Sequence, residues 1–160
     1  MLEFEIGPTR PDEDEAILAM TLEAGVFNAK ENSTVRELLD GYYEGPEISG
    51  YNFLSLREEG RLLGYACYGP RELSSNGYDL YWICASVHAR NKGVGRALMR
   101  RVEEEIARLN GVWLVIETSD TDHYAPARRL YERCGYTLSM YLPDFYCDGD
   151  GLCTYTRRLR

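Results

Sequence analysis

The hydrophobic positions of the chain follow two different periods. In some segments apolar residues alternate with polar ones or fill every position, as in β-strands, and in others they recur every three or four residues, as in helices. The segment YNFLSLREEGRLLGYACYG is expected to form a hairpin, with its two arms joined by the polar turn Arg57-Glu58-Glu59-Gly60. The segment PDFYCDGDG is expected to form the turn between the last two strands. The first period predicts six to seven strands, in LEFEI, both arms of YNFLSLREEGRLLGYACYG, YDLYWICAS, VWLVIE, TLSMYL and LCTYTRRL.

The second period predicts about four helices. One begins at Pro11, where the missing N–H of proline costs nothing, and another covers Ser33–Tyr43. A helix in APARRLYERCGY has Gly135 as its C-terminal cap. The clearest helix runs from Gly93 to Asn110-Gly111, with an apolar face made by Val94, Leu98, Val102, Ile106 and Leu109.

The order of these elements favours a mixed fold. A strand, a glycine turn, a helix and a second strand form a βαβ unit around Gly93, which places its two strands side by side in parallel. With 160 residues the chain is long enough for one hydrophobic core and too short for two complete domains. We therefore expect a single domain over residues 1–160, of the α/β (α+β) class.

Composition narrows the class of partner. The formal net charge of −8 disfavours nucleic acid and suits a cationic substrate. No apolar run reaches the roughly 20 residues of a membrane span, and MLEFEIGPTRPDEDE has neither a basic leader nor an apolar signal core, so we expect a cytoplasmic protein that does not contact membranes. The five cysteines form no C-x-x-C pair and the two histidines are too scattered for zinc, so we expect no bound metal.

The segment SVHARNKGVGRALMRRVEEE joins a buried strand to a helix through two glycines. Gly93 and Gly95 let the backbone approach a ligand closely. The first N–H groups of the helix lie at the positive end of its dipole and point outward, toward a bound anion. Arg90, Lys92 and Arg96 add positive charge at the same place. The segment therefore predicts a phosphate site, and the alternative is a helix that merely starts at a glycine turn with exposed basic residues.

Two well-known phosphate loops fit this segment poorly. A P-loop carries its lysine after the second glycine, whereas Lys92 precedes Gly93 here, so the P-loop is excluded. A dinucleotide fold needs a third small residue where this chain has Leu98, although Glu117, at the end of VWLVIE, stands where a ribose-binding acid is expected. A dinucleotide site is therefore disfavoured.

The segment instead resembles the acetyl-CoA pyrophosphate loop of the GNAT superfamily of N-acetyltransferases, which has Arg/Gln-x-x-Gly-x-Gly/Ala between a buried strand and a long helix. PARRLYERCGY resembles the second signature of that family, a helix ending in Leu-Tyr-x-x-x-Gly-Phe/Tyr. The order of elements matches over nearly the whole chain. The resemblance implies a GNAT-type mixed, mostly antiparallel central sheet, with one parallel pair of strands at the cofactor site and about four flanking helices.

The resemblance also implies which residues hold acetyl-CoA, the acetyl-donor cosubstrate. The pyrophosphate is expected on the backbone of residues 90–95, and the pantetheine arm along the end of the YWICA strand. One departure from the family pattern is Tyr124, which stands where an asparagine is often found. The implied cofactor-binding residues are Cys84, Ala85, Ser86, Arg90, Asn91, Lys92, Gly93, Val94, Gly95, Arg96, Tyr124 and Ala127.

Three residues are candidates for catalysis. By resemblance, Tyr131 matches the tyrosine that protonates the coenzyme A thiolate in many relatives; its alternative role is packing under the sheet. Asp79 aligns with the glutamate base of the histone-acetylating branch but is one methylene shorter, so relay through water and Tyr81 is an alternative to direct proton abstraction. Glu117, at the end of the next parallel strand, is a rival base or a loop anchor.

We therefore expect an acetyl-CoA-dependent N-acetyltransferase that acetylates a primary amine of a small molecule by direct attack on the thioester. The alternatives are a protein lysine or N-terminal acetyltransferase and a non-catalytic acyl-CoA-binding module. His123, Asp144 and Tyr146 flank the two signatures and are candidates to line the acceptor pocket. The acceptor, the acyl length and the oligomeric state stay open, with a homodimer as one option.

Overall fold

A seven-stranded sheet in the order β1-β2-β3-β4-β5-β7-β6 forms the centre of the computed structural model, which describes residues 3–160. The β4–β5 pair is parallel, and the pairs β1–β2, β2–β3, β5–β7 and β6–β7 are antiparallel, so the predicted mixed sheet is confirmed. The strands are β1 (Glu5–Pro8), β2 (Asn52–Glu58), β3 (Arg61–Pro70), β4 (Gly77–Ala85), β5 (Trp113–Ser119), β6 (Thr137–Cys147) and β7 (Asp150–Arg158). The helices are α1 (Asp14–Glu23), α2 (Ala29–Glu44), α3 (Pro46–Ser49), α4 (Val94–Arg108) and α5 (Ala125–Arg133).

The first two helices begin elsewhere than the hydrophobic period predicts. α2 starts before Ser33 because the side chain of Asn28 accepts a hydrogen bond from Glu31 N at 2.8 Å and caps a polar first turn. Pro11 opens a short 3₁₀ turn, Pro11–Glu13, which continues into α1. Within the predicted strand LEFEI, Leu2 lies outside the described residues, and β1 is displaced toward Pro8.

The final hairpin is longer than its sequence predicts. PDFYCDGDG was expected to be a turn, but β6 continues through it to Cys147, and only Asp148-Gly149 lies between the strands. Gly149 has a φ of +81°, which a tight hairpin turn requires and which glycine adopts without strain. The prediction of a long turn is therefore wrong, because the aromatic residues around Phe145 favour extended backbone.

Contacts between residues divide the chain into two compact units, of which the first comprises the chain up to Gly69 together with Tyr81–Val102. Its core joins α1 and α2 to β2 and β3, and includes Ile17, Leu39 and Phe53, each at most 2% exposed. The buried hydroxyl of Tyr65 lies 2.6 Å from that of Thr21, so these two hydroxyls satisfy each other inside the core.

The second unit comprises Pro70–Leu80 and Glu103–Arg160. The buried ring of Tyr131 on α5 lies 6.5 Å from the ring of Tyr136 and 5.8 Å from that of Tyr155. Glu103 accepts hydrogen bonds from the Tyr136 hydroxyl at 2.8 Å and from Arg157 Nη1 at 3.0 Å. Between residues 3 and 160, no helix combines the length and the apolar character needed to cross a bilayer.

Candidate active site

Asp79 and Glu117 project from the same face of the sheet. The parallel ladder joins Gly77 to Trp113 and ends at the pair Asp79–Val115. Paired residues share a face, and so do residues two apart along a strand, so Asp79, Val115 and Glu117 lie on one face. The two carboxylates that the sequence offers as alternative bases are therefore neighbours rather than independent candidates.

Arg71 joins these two carboxylates. Its Nη1 lies 2.7 Å from Asp79 Oδ1, and its Nη2 lies 3.7 Å from Glu117 Oε1. The Arg71 backbone N–H donates to the carbonyl of Gly77 at 2.9 Å. This bond closes the loop between β3 and β4 and fixes the position of the Arg71 backbone. Sequence reasoning missed Arg71, and the available signal was an arginine at the end of one strand with an acidic residue just inside the next.

The environment of Asp79 favours proton uptake. Burial raises the pKa of its carboxyl and the negative charge of Glu117 raises it further, whereas Arg71 lowers it; the net effect is a raised pKa. The side chain of Asp79 is 17% exposed, against 47% for Glu117. A carboxylate with a raised pKa is a better general base near neutral pH, so Asp79 is better suited than an ordinary carboxyl to accept a proton.

Thr154 adds a third polar group to this face. It is paired with Glu117 across the β5–β7 ladder and is 7% exposed. Within residues 3–160 its buried hydroxyl Oγ1 has no hydrogen-bond partner. Leaving a buried hydroxyl unsatisfied costs about 1–3 kcal/mol, so a polar ligand atom that reached this hydroxyl would remove that cost. Sequence reasoning missed Thr154, since threonine is common in strands.

Tyr131 is held as a neutral phenol. Burial, followed by the charges of Cys134 and Tyr155, raises its pKa well above the ordinary value. The ring is packed against those of Tyr136 and Tyr155. A phenol that stays protonated is suited to donate its proton to a leaving thiolate.

The glycine turn has the geometry of an anion site. Gly93 has a φ of +80° with open space around it, and α4 begins at the next residue. The first hydrogen bond of the helix runs from Ala97 N to Gly93 O at 3.0 Å, so the N–H groups of Val94, Gly95 and Arg96 have no acceptor within the helix. Val94 is buried.

The basic residues of this turn differ in their surroundings. Arg90 and Arg96 are exposed, as an anion site requires. Lys92 was expected to add mobile positive charge, but its Nζ lies 3.0 Å from Glu58 Oε2. This ion pair ties the turn to β2 and offsets part of the charge that Lys92 offers. Asn91 has a φ of +63°, a conformation that asparagine tolerates better than most residues.

The residues at the end of β4 contribute backbone groups rather than reactive side chains. Cys84 is buried, and burial raises the pKa of its thiol to about 12, so the thiol stays neutral. Ala85 ends the strand, and Ser86 N donates to Leu63 O at 2.8 Å while its side chain accepts a bond from His88 N. Gly64 faces this strand closely, because a Cβ there would lie 3.0 Å from the carbonyl oxygen of Cys84.

The remaining predicted residues lie at element ends. Tyr124 precedes the first residue of α5, where the helix leaves N–H groups without acceptors, and Ala127 follows in the first turn. His123 and Tyr146 are exposed. The side chain of Asp144 accepts a bond from Gly149 N at 2.7 Å, which gives this carboxylate a structural role in the β6–β7 hairpin.

Comparison with known proteins identifies the family of the chain. Residues 49–138 match the family model of the acetyltransferase (GNAT) domain, which covers more than half of the chain. The chain belongs to this family of acetyltransferases, and its acetyl donor is acetyl-CoA.

Particular relatives are similar over most of their length. The chain is 29% identical over 124 residues to the L-methionine sulfoximine/L-methionine sulfone acetyltransferase of Salmonella typhimurium, covering 75% of this chain and 69% of the relative. A crystal structure described as a GNAT-family acetyltransferase from Desulfovibrio desulfuricans has a TM-score of 0.94 and 32% identity, covering 99% of this chain and all of the other. YncA of Salmonella typhimurium, solved with acetyl-CoA, has the same fold with a TM-score of 0.76 at 20% identity, over 98% and 94% of the two chains.

Proposed function

We propose that this protein acetylates the primary amine of a small molecule, with amino-acid-like amines as the first class to test. The observation that carries the proposal is the cluster of Asp79, Glu117 and Arg71 on one face of the sheet. An amino acid presents an ammonium and a carboxylate, which are complementary to this cluster of two carboxylates and one guanidinium. The similarity to an acetyltransferase of methionine derivatives supports the same class.

In the proposed mechanism Asp79 accepts the proton of the acceptor ammonium, directly or through one water, and leaves a neutral amine. The amine attacks the thioester carbonyl, and the first-turn N–H groups of α4 hold the pyrophosphate of the donor. When the tetrahedral intermediate collapses, the C–S bond breaks and Tyr131 donates its proton to the coenzyme A thiolate. The phenol regains a proton from the acetylated nitrogen, directly or through water. Glu117 raises the pKa of Asp79 and Arg71 lowers it. Thr154 forms a hydrogen bond to the acceptor.

The experiment measures thiol release from acetyl-CoA over matched sets of small amines and of peptides. We expect turnover with amino-acid amines and much lower kcat/KM with lysine-containing or N-terminal peptides. Turnover with peptides alone would instead identify a protein acetyltransferase. Coenzyme binding without turnover on either set would identify a non-catalytic module. That residues 1–160 act as one catalytic domain in the cytoplasm stays part of the proposal.

A further inference from the structure

Glu58 binds one of the three cations of the glycine turn. It is the last residue of β2 and is paired with Arg61 at the start of β3, so the hairpin fixes its backbone. Its Oε2 lies 3.0 Å from Nζ of Lys92, the residue that precedes Gly93. An incoming pyrophosphate therefore meets a lysine that already has a carboxylate as its partner.

The carboxylate of Glu58 is only partly satisfied. Its side chain is 18% exposed, against 38% for Lys92. Oε2 accepts the hydrogen bond from Lys92, but Oε1 is buried and has no hydrogen-bond partner between residues 3 and 160. A carboxylate that is largely removed from water interacts with a neighbouring cation more strongly than an exposed one, because the local dielectric constant is lower. Glu58 is therefore a strong competitor for the charge of Lys92.

The hairpin that carries Glu58 packs closely against the start of α4. A Cβ at Gly64 on β3 would lie 2.6 Å from Val94 Cγ1 and 3.0 Å from Leu98 Cδ1, so this glycine permits the close approach. Ser86 N also donates a hydrogen bond to Leu63 O on β3 at 2.8 Å. Packing as well as the ion pair therefore keeps the carboxylate of Glu58 beside the anion site.

We propose that Glu58 competes with the pyrophosphate of acetyl-CoA for Lys92 and so limits how tightly the donor is bound. An ammonium approaches each oxygen to about 2.8 Å, so a lysine that kept both contacts would leave carboxylate and phosphate oxygens within about 6 Å of each other, where they repel. A lysine that moved to the phosphate would instead leave Glu58 half-buried without its cation, which is also unfavourable. Both routes lower the affinity for a ligand that carries the pyrophosphate.

Glu58 acts in this way on the product as well as on the donor. Acetyl-CoA and coenzyme A carry the same pyrophosphate, and binding energy that is equal before and after the reaction lowers KM without speeding the chemical step. It also slows product release, which limits kcat in many enzymes. Glu58 therefore prevents excessive retention of coenzyme A. This competition rests on the proposed donor site at the glycine turn and does not depend on the identity of the acceptor.

Calorimetric titration with coenzyme A measures the competition without turnover. Glu58→Gln removes the charge but keeps the shape and an oxygen that accepts a hydrogen bond from Lys92, so the turn should stay in place. We expect its Kd for coenzyme A to fall about fivefold, the effect of one ion pair, and by less at high salt. Glu59→Gln is the matched control, because it removes the same charge from the next residue, which is exposed, and should change Kd less than about twofold.

A double-mutant cycle separates competition for Lys92 from a general effect of charge. The tightening caused by Glu58→Gln should require Lys92 and should be much smaller in a Lys92→Met background. During turnover, KM for acetyl-CoA should fall in Glu58→Gln while KM for the amine stays the same. A merely structural role of the ion pair would instead weaken coenzyme A binding in Glu58→Gln.

An unchanged or higher Kd in Glu58→Gln, or equal tightening with and without Lys92, would overturn the proposal. Gly93→Ala distinguishes this failure from a misplaced donor site, because it should weaken coenzyme A binding whatever Glu58 does. Normal affinity in Gly93→Ala would contradict the donor site itself, and with it the competition at Lys92.

Discussion

Arg71 Nη1 and Asp79 Oδ1 lie 2.7 Å apart, and the same guanidinium reaches Glu117. One cation thus contacts two carboxylates, and the negative charge of Glu117 acts on Asp79. Burial raises the pKa of Asp79 and the charge of Glu117 raises it further, while Arg71 lowers it and leaves a net increase. The suitability of Asp79 as a base therefore depends on its burial and on the balance between these two charged neighbours.

Replacing Arg71 by glutamine should raise the pKa of Asp79 further, because the positive charge that lowers it is removed. The acid limb of kcat/KM against pH should move to higher pH by about one unit. Arg71→Lys keeps the charge and serves as the control, with a smaller shift. An acid limb that stays in place in Arg71→Gln would show that Asp79 is not the titrating group.

Thr154→Val should weaken acceptor binding without weakening the fold. Valine has nearly the same shape and removes a buried hydroxyl that has no partner in the described chain, so the free energy of unfolding should stay the same or rise. KM for the amine should rise about tenfold, the effect of one lost hydrogen bond. Thr154→Ser retains the hydroxyl and should keep a near-normal KM. If both variants bind the amine normally, Thr154 does not contact it.

Tyr131→Phe should lower kcat by about 10²-fold, the lower end of the contribution of a general acid. The ring contacts with Tyr136 and Tyr155 remain in the variant, so thermal unfolding should change little. Since the pKa of Tyr131 is raised, the wild-type enzyme should show no alkaline limb from this group below about pH 10. An unchanged kcat in Tyr131→Phe would leave this tyrosine with a packing role only.

Gly93→Ala should weaken acetyl-CoA binding. Alanine strains the positive φ of this position by about 1–2 kcal/mol and shifts the first N–H groups of α4. Gly60 is a matched control, because its φ of +77° is similar and it also has open space around it. We expect Gly60→Ala to lower the free energy of unfolding comparably while KM for acetyl-CoA stays normal. Equal KM values in the two variants would argue against a pyrophosphate site at Gly93.

The sequence predicted the sheet, the parallel strand pair and the glycine turn, because each depends on local periodicity or on a short motif. The start of α2 was missed, since the cap at Asn28 precedes a polar turn that carries no hydrophobic signal. Arg71 and Thr154 were missed for a different reason. Their roles depend on strands that are distant in sequence and adjacent in the sheet, and neither residue type is unusual in its own segment.

The most direct test of the account is acetyl transfer by the purified chain to an amino-acid amine such as methionine sulfone, followed by mass spectrometry of the product together with thiol release. We predict one N-acetylated amine for each coenzyme A released, with kcat lowered at least about 10²-fold in Asp79→Asn and much less in Glu117→Gln. Absence of acetylated product with small amines, or equal turnover in wild type and Asp79→Asn, would contradict it.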